Sequence, residues 1–249
     1  MATESPIASS IRMLEDVKRL SPRILVGLSG KDSIVTAALA CDVFGRDNVV
    51  CFFKQLVVGV QCEIAPVQLA ANRLGVELLV VQHEQMSQLL RRSICRPYVV
   101  GAENIRVLKQ VDVENYVRVK TKISWCGYGH REVESLVRLA MLRRIQGFDL
   151  KGRRAYAIWK WKTPEVFAFM KVRGLPIPTP LAQKYAGQSG GIGLDPFSMS
   201  WLKTHHPSDY ALYERVFPYV GALVFRHGNA TTEATKKPRK VKANGEGKV

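Results

Sequence analysis

The segment from Ser29 to Ser33 brings hydroxyl-bearing, flexible and charged residues together between a predicted strand and a predicted helix. It reads Ser-Gly-Lys-Asp-Ser and directly follows an apolar run. The free N–H groups and partial positive charge of a helix N-terminus favour an anion there, and Gly30 allows close backbone approach. The two serines can donate hydrogen bonds, Lys31 can offset phosphate charge, and Asp32 can hold Mg²⁺ or cap the helix. We therefore expect a phosphate-binding loop; the alternative is a plain strand-to-helix turn capped by Ser and Asp.

The elements that must position this loop alternate between strand and helix. Short apolar runs predict strands, and segments with helical apolar spacing predict helices. The predicted strands are 23–28, 48–53, 76–81, 123–128 and 156–161, and the predicted helices are 11–20, 34–44, 64–74, 84–94, 112–122, 132–146, 163–172 and 209–216. Strand–helix units of this length indicate an α/β fold of Rossmann-like type, with an open, mainly parallel sheet and helices on both faces.

The chain divides by composition into three regions. We expect an N-terminal helix in 1–22, a nucleotide-binding domain in 23–226 and a disordered basic tail in 227–249 as a C-terminal extension. Within the domain, 175–199 is rich in Pro and Gly and is predicted to be a long loop. The helix 112–122 is expected to be capped by Asp112, and the helix at 163 by Thr163.

The charge of the chain favours anionic partners. The 249 residues carry a formal net charge of +16. The part from Arg226 onward has seven Lys/Arg and two Asp/Glu, so the rest of the chain remains strongly basic. Such a field attracts nucleotides, DNA or RNA through both the body and the tail, although solubility alone would also account for it.

The spacing of the cysteines and the length of the apolar runs indicate which cofactors and which cellular compartment to expect. The five cysteines form no C-x-x-C pair, so we expect no zinc site, no iron–sulfur cluster and reduced thiols in a cytoplasmic protein. We see no secretory signal and no run long enough to span a bilayer, so no membrane partner is expected. A homodimer is left open.

Three segments, in matching order, resemble the phosphoadenosine-phosphosulfate (PAPS) reductase-like family of the PP-loop ATP pyrophosphatase and adenine nucleotide α-hydrolase-like superfamily. Ser29–Ser33 resembles the PP-loop S-G-G-x-D-S, with Leu28-Ser29-Gly30 standing where S-G-G is usual. Residues 129–138, Gly-His-Arg-Glu-Val-Glu-Ser-Leu-Val-Arg, resemble the family's G-[YIH]-R-x-x-[DE]-S-x-x-R. Residues 156–169 resemble its aromatic strand and W-[ST]-x-x-[DE]-V-[WF]-x-[YF] helix, and Pro180-Leu181 resembles the "PL" that follows.

The resemblance implies an adenine nucleotide, ATP or PAPS, with Mg²⁺ held by Asp32. Lys31 and Asp32 are the implied catalytic residues. The implied nucleotide- and phosphate-binding residues are Ser29, Gly30, Lys31, Asp32, Ser33, Gly129, His130, Arg131, Ser135 and Arg138. We expect Arg131 and Arg138 to lie on one face of one helix, where guanidinium groups suit phosphate oxygens.

Three functions follow from these residues. The first is cleavage at the α-phosphate of ATP to activate an acceptor, as in nucleic-acid modification. The second is sulfonucleotide reduction or transfer with an external thiol, because this chain has no cysteine after Cys126 to act as the nucleophile. The third is a non-catalytic nucleic-acid-binding module that keeps the fold.

Overall fold

The computed structural model describes residues 5–176 and 192–225 and divides them into two compact units. The first unit comprises residues up to 94 and 98–192. Its helices are α1 Pro6–Leu20, α2 Lys31–Phe44, α3 Gln61–Leu74, α4 Gln85–Arg91, α5 Gln110–Thr121, α6 Leu136–Ile145 and α7 Thr163–Val172. Its strands are β1 Ile24–Gly27, β2 Val49–Gln55, β3 Glu77–Gln82, β4 Cys126–Gly127, β5 Phe148–Asp149 and β6 Arg154–Ala155.

The six strands form one sheet in the order β3-β2-β1-β4-β6-β5. Every neighbouring pair is parallel except β5 with β6. The central strand β1 lies between β2 and β4, so the order of the strands reverses there. Ligands of open α/β sheets bind at such a position, beyond the carboxyl ends of the strands.

Both faces of the sheet are covered by helices. Ile24 and Val26 belong to a buried cluster with residues of α1, α2, α3 and α7. Leu25, which points to the other face of β1, belongs to a second cluster with Val113 and Val117 of α5 and with Leu142 of α6. The predicted fold class, an α/β protein with an open, mainly parallel sheet and helices on both faces, is confirmed.

The region after β4 differs most from the sequence prediction. The predicted strand 123–128 is only two residues long, and the predicted strand 156–161 is a turn. The chain forms the short antiparallel pair of β5 and β6 instead. Gly147, which connects α6 to β5, has a φ of +72°, and a Cβ at this position would lie 2.3 Å from the Trp159 ring. The aromatic residues of 156–161 therefore pack as a turn against the hairpin.

Two predicted helix caps are also displaced. Helix α7 has the predicted bounds, but its N-cap is Lys162, whose N–H donates to Glu165 at 2.6 Å. Helix α5 begins earlier than predicted, and Asp112 accepts the N–H of Lys109 at 2.7 Å from within the first turn. In both helices a carboxylate three residues after the cap accepts the N–H of the cap residue. For this reason Asp112 was predicted as the cap of α5 although it lies three residues after the cap.

The second unit comprises residues 95–97 and the chain from 193. It holds α8 Pro196–His205 and α9 Pro207–Val216. The first part of α8 was predicted as loop, but Asp195 caps it by accepting the N–H of Ser198 at 2.8 Å. Pro180-Leu181 and the predicted tail lie outside the described residues. No helix in 5–176 or 192–225 is both long and apolar enough to cross a membrane.

Candidate functional site

The predicted phosphate loop lies at the carboxyl end of β1. Helix α2 begins at Lys31, three residues earlier than predicted, with Gly30 as its N-cap. Lys31, Asp32 and Ser33 therefore form the first helical turn, whose N–H groups have no acceptor within the helix. The anion-binding character expected of this segment rests on a real helix N-terminus.

The hydroxyl of Ser33 organises the loop. It accepts the N–H of Ser29 at 2.7 Å and the N–H of Gly30 at 2.9 Å, and it donates to the carbonyl of Gly30 at 2.8 Å. From the sequence, the Ser33 hydroxyl was expected to donate to a phosphate. In the structure its hydroxyl is occupied by the loop backbone, so it shapes the loop, while Ser29 is exposed.

Asp32 lies between two cations at this helix end. Its Oδ2 is 3.0 Å from Lys31 Nζ, and its Oδ1 is 2.8 Å from Arg131 Nε. The three residues are 7%, 8% and 3% exposed respectively. Although Oδ1 and Nε are close, they do not form a hydrogen bond, and neither atom has another hydrogen-bond partner within the described residues. The sequence prediction that Asp32 holds Mg²⁺ stays a prediction, and a metal would have to compete with both cations.

Arg131 connects the three segments that carry the family resemblance. Besides Asp32, its Nη1 donates to the carbonyl of Trp161 at 3.3 Å and to Thr163 Oγ1 at 3.2 Å. Thr163, expected to cap α7, thus holds the arginine instead. The guanidinium is fixed in position before any ligand is present, which favours its use in binding an anion.

Gly129 brings the segment after β4 directly against the start of α2. A Cβ at this position would lie 2.5 Å from the carbonyl carbon of Asp32 and 2.5 Å from the nitrogen of Ser33. These are backbone atoms, which cannot move aside as a flexible side chain can. Gly129 is therefore required for the loop and the arginine to meet, whether or not it touches a ligand.

Arg138 has different surroundings from Arg131. Ser135 adopts extended backbone angles and separates a short 3₁₀ turn, Glu132–Glu134, from α6. Ser135 caps α6 by accepting the N–H of Arg138 at 3.2 Å. The Arg138 guanidinium pairs with Glu134, and its side chain is 38% exposed. The two arginines do not share one helix, because Ser135 favours the cap position over the helix interior.

His130 lies in an aromatic cluster at the ends of β4 and β6. Its ring centroid is 5.5 Å from those of both Tyr128 and Tyr156, with nearly parallel planes. Burial, together with the nearby positive charge of Arg138, lowers the pKa of His130 to about 4. His130 is therefore neutral at physiological pH and offers no positive charge to a phosphate.

A second buried carboxylate, Glu114, was missed by sequence analysis. It is 1% exposed and accepts hydrogen bonds from Tyr128 Oη at 2.8 Å and from Arg154 Nε at 3.0 Å. Arg118, one turn later on α5, is 2.5 Å away. The i,i+4 spacing of Glu114 and Arg118 could have indicated their ion pair from the sequence. The contacts with Tyr128 and Arg154 could not have been predicted, because those residues are distant in the chain.

Lys54, at the end of β2, was also missed. Its Nζ is 2.9 Å from Glu84 Oε1, just after β3. Both lie at the same carboxyl edge of the sheet as the loop. The sequence showed only two charged residues, 30 positions apart, at the ends of predicted strands.

Comparisons with known proteins give structural likenesses only. No family model and no curated protein matches the sequence. The U34-tRNA thiolase NcsA from Methanococcus maripaludis, solved with its [4Fe-4S] cluster, is similar with 17% identity and a TM-score of 0.44 over 84% of this chain and 80% of that one. An NH₃-dependent NAD synthetase from Campylobacter jejuni, solved with a nitrate ion, is similar with 14% identity and a TM-score of 0.47 over 96% of this chain and 100% of that one.

The expectation of no iron–sulfur cluster needs correction. It rested on cysteine spacing alone, and one of the similar structures, NcsA, carries a [4Fe-4S] cluster. Ligands of a cluster can come from distant parts of a chain, so missing C-x-x-C pairs do not exclude one. Within the described ranges, no three His, Cys, Asp or Glu side chains are grouped where they could hold a metal.

Proposed function

We propose that this chain binds the phosphates of an adenine nucleotide at the N-terminus of α2 and cleaves the bond after the α-phosphate to activate an acceptor. The observation that carries the proposal is the convergence of Lys31 and Arg131 on a helix N-terminus beyond the central strand β1. Two buried cations and free helix-terminal N–H groups form an anion site. The adenine part of the proposal rests on the resemblance of the three segments.

The chemistry uses position and charge. An acceptor oxygen attacks the α-phosphorus and loses its proton to solvent, and the bond to the bridging oxygen breaks with its electron pair leaving on pyrophosphate. Lys31, Arg131 and the first-turn N–H groups of α2 stabilise that developing negative charge. Arg138, which is exposed, binds the far end of the nucleotide in this proposal. Because Arg131 is already fixed by Trp161 and Thr163, it requires little reorganisation.

PAPS is the second candidate nucleotide, and its reduction would need an external thiol. Two of the described thiols are poor nucleophiles: burial raises the pKa of Cys126 to about 12 and raises that of Cys51 still further. Since the thiolate is the reactive form, neither residue is suited to attack a sulfonate. An added thiol would supply the electrons and release sulfite.

For the acceptor we propose a nucleic acid. Residues 131–173 contain eleven Lys/Arg and four Asp/Glu. Six of these cations are exposed and lie on or beside α6, the β5–β6 hairpin and the turn that follows: Arg143, Arg144, Lys151, Arg153, Lys160 and Lys162. Phosphate contacts of this kind make binding steeply dependent on salt.

Calorimetry and product analysis test the nucleotide proposal. We expect heat on titration with ATP and with pyrophosphate, and none with adenosine at the same concentration. Incubation with labelled ATP, with and without Mg²⁺ and with RNA or DNA added, should give AMP or an adenylylated acceptor together with pyrophosphate. A parallel reaction with PAPS and dithiothreitol should give sulfite only if the second candidate is correct. A protein that binds neither ATP nor PAPS nor pyrophosphate would contradict the proposal.

Fluorescence anisotropy with labelled RNA and DNA tests the acceptor. Affinity should fall at least tenfold between about 50 and 200 mM salt, and Arg144→Ala combined with Lys151→Ala should weaken it. Asp42 pairs with Arg173 on the exposed side of α2, so Arg173→Ala is a matched control from the same basic segment. Binding that is insensitive to salt, or equally weakened by the control, would rule out this surface.

A further inference from the structure

We propose that Asp32 is an internal competitor for the anion site: its carboxylate occupies the place of a ligand phosphate until the ligand displaces it. This inference rests on the proposed function and concerns the regulation of the same site. It differs from the sequence-based prediction, in which Asp32 assists binding by holding Mg²⁺.

The carboxylate of Asp32 lies where the anion of a ligand is expected. An anion is expected at a helix N-terminus flanked by two cations, and in the structure that anion is Asp32, in the first turn of α2. Its two oxygens face Lys31 and Arg131 at 3.0 and 2.8 Å. A phosphate that uses both cations must take over both of these contacts.

The contact between Asp32 and Arg131 is incomplete. Asp32 Oδ1 and Arg131 Nε are buried and close, yet they form no hydrogen bond with each other, and no other described residue provides one. Buried polar groups are normally hydrogen-bonded, and leaving them unsatisfied is unfavourable. A ligand oxygen aligned with Nε would satisfy the guanidinium better than Asp32 does. A ligand oxygen can therefore replace the Asp32 carboxylate beside Arg131.

The charges define the class of ligand. Lys31, Asp32 and Arg131 together carry +1 while Asp32 stays between the cations. A monoanion that replaces the carboxylate is attracted to the two cations no more strongly than the carboxylate is, because both carry one negative charge. A phosphate group with two negative charges is attracted more strongly, and its several oxygens can bind both cations. The site should therefore select pyrophosphate and nucleotide polyphosphates over nitrate or chloride.

The experiment compares Asp32→Asn with wild-type protein by calorimetry, using pyrophosphate and ATP without added metal. Removing the competing charge should tighten pyrophosphate binding about tenfold. Asp42→Asn is the matched control, since it removes the same charge from the same helix but at an exposed position paired with Arg173. That control should leave the affinity within about twofold, because solvent and salt screen a distant surface charge.

Thermal unfolding provides a second readout. Without ligand, Asp32→Asn should melt below wild type, because Lys31 and Arg131 lose their counter-charge. Pyrophosphate should then raise the midpoint of the variant more than that of wild type, since the ligand restores the missing anion. Asp32→Ser, which also removes the charge and suits a helix N-terminus, repeats both measurements if the Asn variant does not fold.

The outcomes separate this inference from the proposed function. If wild type binds pyrophosphate and both Asp32 variants bind it equally or more weakly, Asp32 is not a competitor, while the proposed function stands. If only the variants bind, Asp32 outcompetes the ligand in the wild-type protein, so the inference holds while the proposed function, which requires the wild type to bind, fails. If no form binds ATP or pyrophosphate, there is no anion site and both proposals fail.

Discussion

Two buried carboxylates of this protein are each flanked by two cations, and they differ in how fully they are bonded. Glu114 accepts hydrogen bonds from Tyr128 and Arg154 and pairs with Arg118 at 2.5 Å. It is almost completely buried. Both oxygens of this carboxylate accept hydrogen bonds.

Asp32 has the same arrangement of charges but not the same completeness. One of its oxygens and the Nε of Arg131 are left without hydrogen bonds, and it lies at a helix N-terminus. Each cluster contains an arginine Nε without a hydrogen bond, Arg118 in one and Arg131 in the other, so the difference lies in the carboxylates. The comparison indicates that a buried carboxylate with both oxygens hydrogen-bonded supports the fold, whereas one with an unbonded oxygen at the end of a helix is suited to exchange its place with a ligand anion. Charge count alone does not distinguish the two.

The largest effect is expected for Glu114→Gln. It removes the shared counter-charge of two arginines, so the free energy of unfolding should fall by about 3–5 kcal/mol, as measured by urea denaturation. The control is Glu103→Gln, because that carboxylate is exposed and accepts a hydrogen bond from Tyr98 rather than from an arginine. If Glu114→Gln is as stable as its control, the hydrogen-bonded carboxylate does not support the fold.

The next largest effect is expected for Arg131, and it should exceed the effect of Arg138 from the same sequence motif. Arg131→Ala removes a buried cation of the site and should weaken ATP binding by about 30-fold or more. Arg138→Ala removes an exposed arginine paired with Glu134 and should weaken it by no more than about threefold. Calorimetry measures both, with circular dichroism to confirm folding. Equal losses would show that burial does not decide which arginine matters.

A smaller loss of stability is expected for Gly129→Ala. The added methyl group would press on the backbone of Asp32 and Ser33, so the cost should be about 1–3 kcal/mol, with weaker pyrophosphate binding because the loop must shift. Gly221→Ala is the control, since the nearest atom to its Cβ would be 3.9 Å away. Unchanged stability and affinity would mean that the close approach is not required.

The smallest effect concerns pH. The pKa of His130 in the folded protein, about 4, is below its ordinary value of 6.5, so the unfolded chain binds a proton first as the pH falls. Stability should therefore decline from about pH 6.5 towards pH 4, and His130→Phe should flatten part of that slope. His205→Phe, at an exposed position, should not. An unchanged slope in His130→Phe would show that the aromatic cluster does not keep this ring neutral.

The order of the elements could be predicted from sequence, because buried parallel strands and amphipathic helices have distinct periodicities. Helix α7 was predicted with its observed bounds, and β1 within one or two residues. The hairpin of β5 and β6 was not predicted, because two-residue strands are too short to show a pattern. Helix α8 was missed because its proline and glycine surroundings resemble a loop.

The site was only partly predictable for a different reason. The residues Lys31, Asp32, Gly129 and Arg131 were all named from the sequence, and the structure brings them together. Their roles were not predictable, because which oxygen faces which nitrogen depends on how three distant segments pack. The role of Thr163, assigned as a cap, changed for the same reason.

The contacts of Arg131 have a consequence for the order in which the molecule assembles. Asp32 lies far before it in the chain and Thr163 lies 32 residues after it, so the site exists only when two long loops have closed. Because loop closure of this kind is entropically costly, we expect it to be completed late, when the sheet is already in place. A pyrophosphate or nucleotide that binds here would recognise only the finished fold. It should slow the unfolding rate and delay proteolysis, and binding of the ligand would report the arrival of newly made chains at the native state.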